Sequence, residues 1–188
     1  MIHIEKNELC FLINGKKLHF GYKEFAIITG LRCDPPPTLK FKNKEGSNTL
    51  KSKFFPEDNK VRTENIKSVF ANKTTIATDE EMVKLASLYF LEAILLALDM
   101  NKYIDMDHLY LADNLDDFNS YPWGRLVFDK TISSLKSSLD TIKTSKATYQ
   151  LGGFPLALLP FIFETIPLLA ERSFAQPIDT HYHQRILN

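Results

Sequence analysis

The chain contains two thiols, Cys10 and Cys33, and a thiolate is a strong nucleophile when a neighbouring positive charge lowers its pKa. Cys33 follows Arg32, which favours such a lowered pKa. Nucleophilic catalysis also needs a positioned base, and neither cysteine belongs to a recognisable set that includes one. We therefore predict structural thiols rather than a thiol enzyme. Two cysteines are also too few for a disulfide scaffold, which favours a reducing compartment.

Metal-ligating residue types occur in two places. Near the C-terminus, Asp179, His181 and His183 alternate, and an extended strand would present them on one side, where neutral imidazole binds metals. We favour the alternative that these three residues are exposed to solvent in a terminal tail and bind no metal. The segment 99–119 holds six aspartates against Lys102, but it lacks the regular spacing and the glycine of a calcium loop. Helix capping and surface charge explain these acids more simply, so we predict no metal and no cofactor.

The segment Thr38 to Ala77 is basic, with nine Lys or Arg residues against four acids and hence a charge of +5. Phenylalanines lie between the lysines, a composition that suits a phosphate backbone and stacked bases. The favoured alternative is a solvated loop whose Phe pair packs on the core, because no folded nucleic-acid motif is present. The nucleic-acid-binding candidates are Lys40, Lys42, Lys44, Lys51, Lys53, Phe54 and Phe55.

A third candidate site surrounds the only tryptophan, where Tyr121, Trp123 and Arg125 lie close together in the sequence. These three residue types are enriched at the energetic centres of protein interfaces. We favour a structural alternative, in which Pro122 starts a helix and the Trp123 ring fills the core.

The elements that position these residues can be predicted from turn, cap and periodicity signals. Asn14-Gly15 between two apolar runs indicates a β-hairpin over Leu9 to Phe20, followed by a short helix that ends at Gly30. Thr78 and Glu81 form a capping box for a long helix, roughly Asp79 to Met100, whose apolar residues cover so much of its circumference that neighbours should enclose it.

Two more helices are expected in the C-terminal half. One begins near Trp123 and is amphipathic, and a strongly apolar one begins near Pro155, with Pro160 in or near its first turn and Pro167 bending or ending it. Much of 34–77 is expected to be an exposed loop, with a short helix capped by Thr63. We predict one domain over 1–175 and a tail over 176–188.

Composition excludes several classes of protein. The chain has 188 residues, 44% of them hydrophobic, which is enough for a folded core. Equal numbers of basic and acidic residues remove the global positive field of a dedicated nucleic-acid binder. The N-terminus carries charges where a signal peptide would be apolar, and the run Leu85 to Leu98 is too short to span a membrane. We therefore expect an intracellular protein without a membrane contact.

Three motifs, in this order and spacing, resemble the plant domain of unknown function nineteen-eighty-five. They are Phe20, Glu24, Phe25, Thr29, Gly30 and Leu31, then Pro122-Trp123-Gly124-Arg125, then Gly153-Phe154-Pro155 with Glu164, Ile166 and Pro167. The resemblance covers about Glu8 to Phe174. It implies an α-rich, nuclear or cytoplasmic accessory domain of transposon-derived proteins, often placed before a protease of the ubiquitin-like-protein protease group. Those proteases need a His, an Asp and a Cys in that order along the chain, whereas Cys10 and Cys33 both lie near the N-terminus. We therefore do not expect protease activity from this chain.

The sequence therefore predicts a mainly α fold, a single-domain helical bundle with a small N-terminal β-hairpin. We expect a non-enzymatic protein-interaction or self-association module, whose partner is another protein or a second copy. The alternative is a nucleic-acid-binding accessory domain that uses the basic segment 38–77.

Overall fold

The computed structural model of the chain describes residues 2–5, 8–13, 15–36, 49–72, 77–143, 151–166 and 168–169. The strands are β1 (Ile2–Glu5), β2 (Glu8–Ile13) and β3 (Lys16–Phe20). The α-helices are α1 (Tyr22–Thr29), α2 (Leu50–Phe54), α3 (Thr63–Ala71), α4 (Asp79–Tyr89), α5 (Met106–Ala112), α6 (Leu115–Ser120), α7 (Trp123–Lys143) and α8 (Leu158–Thr165). The predicted fold class, mainly helical with a small antiparallel element at the N-terminus, is confirmed.

The chain forms two compact units. Met1–Pro35 and Pro122–Asn188 together form what we call the sheet unit, and Pro36–Tyr121 forms the helical unit. Both boundaries lie at prolines, which lack the backbone N–H that continues a helix or a strand. The domain limits expected from the sequence remain a prediction.

The sheet unit begins with an antiparallel sheet in the order β1-β2-β3. Leu9 pairs with Phe20 and Phe11 with Leu18, and this register turns Leu9, Phe11 and Phe20 into the core. Gly15 has φ 77°, the left-handed conformation that a tight hairpin turn requires. The hairpin is thus confirmed, but β1 was not predicted, because its four residues carry no turn signal of their own.

Helix α1 follows the sheet after one residue. The Gly21 N–H donates to Glu24 Oε2 over 2.9 Å at its start, and Gly30 ends it at φ 72°, as predicted. Phe25 is the buried residue of α1, and its ring centroid lies 5.4 Å from that of Phe128 on α7. The rings of Phe20 and Phe161 join the same cluster, so an aromatic core holds β3, α1, α7 and α8 together.

Helices α7 and α8 follow the predicted patterns closely. Trp123 begins α7 directly after Pro122, and Phe128 and Ile132 lie on its buried face. A 3₁₀ turn over Pro155–Ala157 precedes α8, and Pro160 is the third residue of α8, where its missing N–H disturbs no helical hydrogen bond. The predicted tail over 176–188 lies outside the described residues.

The helical unit corrects the expectation of an exposed loop over 34–77. Within the described part, Leu50, Phe55, Val61 and Ile66 are buried. Helix α2 was not predicted, whereas α3 is the short helix that was. The predicted cap was also misplaced: Arg62 occupies the N-cap of α3, and Thr63 is its first helical residue. Apolar residues at irregular intervals supplied this core without producing a periodic pattern.

The predicted long helix is shorter than expected. After Tyr89 the backbone widens into a π-helix over Phe90–Leu95, in which the Leu96 N–H donates to the Leu91 carbonyl over 2.8 Å. The helical run then ends, and Ala97 takes φ 48°. The expectation that neighbours enclose this helix on all sides is wrong, since one side is exposed.

Candidate interaction site

The exposed side of α4 and its π-helical continuation is apolar over three turns. Val83, Phe90 and Ile94 are 51%, 53% and 47% exposed, and Ala86 lies between them on the same exposed side. We call Val83, Ala86, Phe90 and Ile94 the α4 stripe. Single exposed apolar residues are ordinary, but a contiguous row on one helix face is typical of a binding surface.

The start of α4 is fixed by the predicted capping box, which is confirmed. Thr78 Oγ1 accepts the Glu81 N–H over 3.2 Å, and Glu81 Oε2 accepts the Thr78 N–H over 2.7 Å. Glu81 also pairs with the Lys53 ammonium at 2.7 Å. Together these contacts tie the first turn of α4 to α2 and set the rotation of the helix.

The opposite face of the same helix is buried. Leu85, Leu88, Leu91 and Leu95 point inward, and α4 packs against α3 and α5. Because side chains three and four residues apart share a helix face, this inward row leaves the α4 stripe facing outward. The stripe is therefore the side of an apolar helix that the described residues leave exposed.

Phe70 of α3 is a further exposed apolar residue of the helical unit. Its ring is 38% exposed and meets the Tyr89 ring edge-on, with 6.0 Å between centroids. Tyr89 directly precedes Phe90 in the chain. Both α3 and the helical run from α4 onward thus expose apolar side chains.

A buried carboxylate and imidazole lie behind the stripe. Glu92, in the π-helix, is 2% exposed, and its Oε1 lies 2.6 Å from Nδ1 of the buried His108 on α5. A carboxylate beside an imidazole is a common acid–base pair in enzymes, but such a pair needs access to a substrate. The burial of both partners indicates that the pair links the π-helix to α5. The sequence signal was Glu92 within the apolar run Leu85 to Leu98.

The residues of the predicted tryptophan site have different environments. Trp123 is 6% exposed and belongs to the core, so the favoured packing alternative agrees with its position. In the sheet unit, the Arg125 guanidinium lies 4.5 Å from the centre of the Tyr22 ring, whose hydroxyl donates to Asp129 Oδ1. In the helical unit, burial, together with the charges of Asp105 and Asp107, raises the pKa of Tyr121.

Of the basic segment, Lys40, Lys42 and Lys44 lie outside the described residues. Lys51 donates to the Phe55 carbonyl at the end of α2, and Lys53 pairs with Glu81. Phe55 is buried and Phe54 packs against it at 6.4 Å between ring centroids. The Phe55 ring therefore cannot stack on a base. Its burial agrees with the alternative in which the Phe pair packs on the core.

The thiols lie in unreactive surroundings. Cys10 is fully buried on β2, and its Sγ lies 3.4 Å from Nδ1 of His19 across the strand pair. Burial, and then the charge of Asp34, raises the pKa of Cys33 to about 11. The lowered pKa suggested by the neighbouring Arg32 is thus wrong, because desolvation of the Cys33 thiol outweighs the lowering effect of the Arg125 guanidinium.

The acidic segment supplies helix caps. Asp105 Oδ1 accepts the Asp107 N–H at the start of α5, and Asp113 Oδ1 accepts the Leu50 N–H over 2.7 Å. Among the residues that the structure describes, no three His, Cys, Asp or Glu side chains form a group able to hold a metal ion. The residues Asp179, His181 and His183 lie outside this part of the chain.

The sheet unit contains an apolar groove of about 230 Å³ between the sheet and α8. Its walls include Phe11, Ile13 and Leu18 on one side and Ile162 and Ile166 on the other. The one hydroxyl in its lining, that of Thr165, already donates to the Phe161 carbonyl over 2.6 Å. The groove thus offers hydrophobic contact but no titratable group for catalysis.

The family model described as "Domain of unknown function (DUF1985)" matches residues 2–134, about seven tenths of the chain. The chain belongs to the DUF1985 family. No curated protein and no solved structure matches it. None of the helices in the described ranges is long and apolar enough to cross a membrane.

The DUF1985 match contains two of the three motifs that suggested the family. Gly124 of the second motif permits a close approach, because a Cβ there would lie 2.7 Å from the Arg32 carbonyl oxygen and 2.8 Å from Cys33 Sγ. Gly30 of the first motif provides the left-handed end of α1. The third motif begins at Gly153, beyond the match, so the matched region is shorter than the expected span to Phe174.

These DUF1985 motifs therefore encode the packing of the sheet unit. The α4 stripe also lies within the matched region, but none of its residues belongs to a motif. Sequence reasoning found α4 and its apolar residues, but it placed all of them in the core.

Proposed function

We propose that this DUF1985 domain is a non-enzymatic protein-interaction module that binds a protein through the α4 stripe. The observation that supports this function is the half-exposed row of Val83, Phe90 and Ile94 on a helix whose other face is buried. Removing such side chains from water provides the main favourable free energy of most protein association. An aromatic ring at the centre of the row suits the anchor position of an interface.

The surroundings of the polar groups support a binding function over a catalytic one. The Glu92–His108 pair and Cys10 are buried, and the Cys33 thiol is held protonated near neutral pH. The groove of the sheet unit has no ionisable residue in its lining. The stripe, by contrast, is exposed within the part of the chain that the structure describes.

Affinity purification from plant cell extract tests this function. Wild-type protein is compared with a Phe90→Glu/Ile94→Glu variant, which places two charges where an interface must exclude water. Leu139→Glu is the matched control, because Leu139 is a part-exposed leucine on the amphipathic α7. Circular dichroism verifies that each variant is folded.

We expect proteins that the wild type and the Leu139→Glu variant retain equally to be lost from the stripe variant. The same retained set for all three proteins would overturn the proposed function. Nuclease treatment of the extract separates proteins bound directly from those carried by nucleic acid.

The cellular setting is part of the proposal and follows from the family resemblance. We propose an intracellular plant protein of transposon-derived ancestry, nuclear or cytoplasmic. Fluorescence microscopy of a tagged chain in plant cells tests the compartment, and a secreted or membrane-bound signal would contradict it.

One observation favours nucleic-acid binding as a second candidate function. The Tyr103 ring is half exposed, and the Arg62 guanidinium and Lys60 ammonium lie 4.8 and 5.8 Å from its centre. An exposed ring beside two cations suits a stacked base and its phosphate. If this function holds, a Lys60→Glu/Arg62→Glu variant loses salt-dependent binding of a single-stranded oligonucleotide in fluorescence anisotropy. Unchanged binding would exclude this surface.

A further inference from the structure

We propose that the sheet unit binds Zn²⁺ through a set of donors on the outer face of its sheet, the face opposite the aromatic core. The donors are Glu8, Cys10 and His19, together with His3 at the neighbouring position of β1. This site goes beyond the interaction function and does not rest on it, because the α4 stripe belongs to the helical unit.

One row of residues across the three strands has a thiol between two histidine positions. His3 of β1 is the register partner of Cys10 on β2, and Cys10 is the register partner of His19 on β3. Register partners in an antiparallel sheet lie on the same face. Adjacent strands are about 4.8 Å apart, so residues on both flanking strands are near enough to share one ion with the middle residue.

The described side chains already have the spacing of zinc ligands. Nδ1 of His19 lies 3.4 Å from Sγ of Cys10 and 3.5 Å from Oε2 of Glu8. Zn–S bonds of about 2.3 Å and Zn–N or Zn–O bonds of about 2.0 Å, at tetrahedral angles, place S and N about 3.5 Å apart and N and O about 3.3 Å apart. One imidazole nitrogen thus faces a thiol and a carboxylate at the distances that a shared ion requires.

The register of β1 supplies a fourth donor position. Glu8, Cys10 and His19 do not by themselves form a group able to hold a metal ion. His3 adds a histidine to the same row, and four protein ligands are the usual number in a structural zinc site. Spacing along the chain gives no sign of this set, because its members lie on three different strands.

The chemistry of the donors selects a borderline-soft ion. Thiolate and imidazole suit Zn²⁺, whereas Mg²⁺ and Ca²⁺ are bound through oxygen. On binding, the Sγ–H bond of Cys10 breaks, an Sγ–Zn bond forms, and the proton leaves to water.

Burial divides the site into a fixed part and an adjustable part. Cys10 is fully buried on the middle strand, while the side chains of His19 and Glu8 are 46% and 52% exposed. The thiol therefore provides a fixed ligand, and the two exposed groups can close over an ion that arrives from solvent. A bound ion would tie β1, an edge strand, to β2 and β3.

Cobalt substitution tests the thiol ligand on the full chain. Co²⁺ occupies tetrahedral zinc sites, and a cobalt–thiolate bond gives a charge-transfer absorption in the near ultraviolet. We expect the chelator-treated wild type to bind one equivalent of Co²⁺ with this absorption, and added Zn²⁺ to displace it with a Kd below about 1 µM. Cys10→Ala should lose the absorption, whereas Cys33→Ala, the matched control, should keep it.

His19→Gln keeps the site testable if Cys10→Ala fails to fold, because the His19 side chain is half exposed. Circular dichroism verifies its fold. We expect His19→Gln to weaken Zn²⁺ binding about tenfold or more in calorimetric titration, since even groups that only support metal ligands contribute that much. His3→Gln should have the same effect. The matched control is His181→Gln/His183→Gln, which should bind Zn²⁺ as tightly as the wild type does.

Three results would overturn the inference: a wild type that binds no Zn²⁺, a cobalt spectrum without the thiolate absorption, and a His19→Gln variant that binds as tightly as the wild type. Loss of the ion from the His181→Gln/His183→Gln variant would assign it to the C-terminal residues and overturn the inference as well.

Discussion

Oε1 of Glu92 and Nδ1 of His108 lie 2.6 Å apart, and both side chains are buried between the π-helix and α5. Their contact joins the wide turn of the π-helix to the next helix of the helical unit. The burial of both groups suits a structural link. Phe90 and Ile94 of the α4 stripe lie on the exposed side of the same π-helix. The contribution of the Glu92–His108 pair to stability can be measured.

Removing one partner of this pair should be more harmful than removing both. We expect Glu92→Leu or His108→Leu alone to lower the free energy of unfolding by about 2–4 kcal/mol, because the remaining polar group stays buried without its partner. The double variant should lose less than the two single losses combined. Urea denaturation of the four proteins of this double-mutant cycle provides the measurement. Additive losses would contradict a direct coupling.

Gly124 should tolerate a methyl group poorly. A Cβ at this position would lie 2.7 Å from the Arg32 carbonyl oxygen, so Gly124→Ala must displace α7 from the segment after α1. We expect a loss of about 3 kcal/mol in the free energy of unfolding, typical of overpacking against backbone.

Gly30→Ala is the matched control for Gly124→Ala, because Gly30 has a left-handed φ of 72° but no atom within 4 Å of an added Cβ. It should lose only about 1 kcal/mol, the cost of a left-handed alanine. Equal losses in the free energy of unfolding at the two positions would show that the close approach of the Arg32 carbonyl does not explain the effect of Gly124→Ala.

The Cys33 thiol should react slowly at neutral pH. With a pKa of about 11, roughly 0.1% of the Cys33 thiol is ionised at pH 8. A solvated cysteine is about 10% ionised or more at the same pH. We expect iodoacetamide to modify native Cys33 much more slowly than urea-unfolded protein, with a rate that rises up to about pH 11. Mass spectrometry of peptides follows the modification. Equal rates in the folded and unfolded chains would contradict the raised pKa.

The same raised pKa makes stability depend on alkaline pH. The unfolded chain ionises Cys33 near its ordinary value of 9.0, while the folded chain holds the proton until about 11. The contribution of this thiol is therefore complete below pH 9.0 and is lost as the pH rises toward 11. Cys33→Ser should reduce the alkaline loss of stability in that window, as measured by urea denaturation at several pH values.

Lys53 should control the acidity of Glu81. The Lys53 hydrogen bond, followed by the Thr78 backbone N–H, lowers the pKa of Glu81 below 4.5. We expect Lys53→Met to raise the Glu81 pKa toward 4.5, because the larger of the two causes is removed. Carbon-detected NMR titration of the carboxyl group measures this change.

Lys51→Met is the control for Lys53→Met, since Lys51 bonds the Phe55 carbonyl instead of Glu81. It should leave the Glu81 titration unchanged. A Glu81 pKa that stays low without Lys53 would assign the effect to Thr78. Since the folded-state pKa is lowered, stability from this contact is present above pH 4.5 and is lost as the pH falls below that value.

Local signals predicted the elements whose ends they define. Gly15, Gly30, Thr78 with Glu81, and Pro122 each fix a turn or a helix end through their own backbone chemistry. Such signals act within a few residues, so their structural outcome does not depend on distant parts of the chain.

Long-range packing escaped prediction. Leu50 and Val61 are buried, although the irregular spacing of the apolar residues around them indicated a loop. Glu92 of the π-helix contacts His108 on another helix, a contact that no local signal in the sequence indicates. Periodicity identifies apolar positions, but it cannot tell which of them a neighbour covers.

The aromatic core of the sheet unit has a consequence for synthesis. Phe25 packs on Phe128, about a hundred residues later, and the whole helical unit lies between them in the sequence. A ribosome adds about 5–20 residues per second, so the hairpin and α1 wait roughly 5–20 s for their partner. The helical unit, a continuous stretch, meets no such delay. We expect it to fold first, while the emerging N-terminal strands remain the segment that most needs a chaperone.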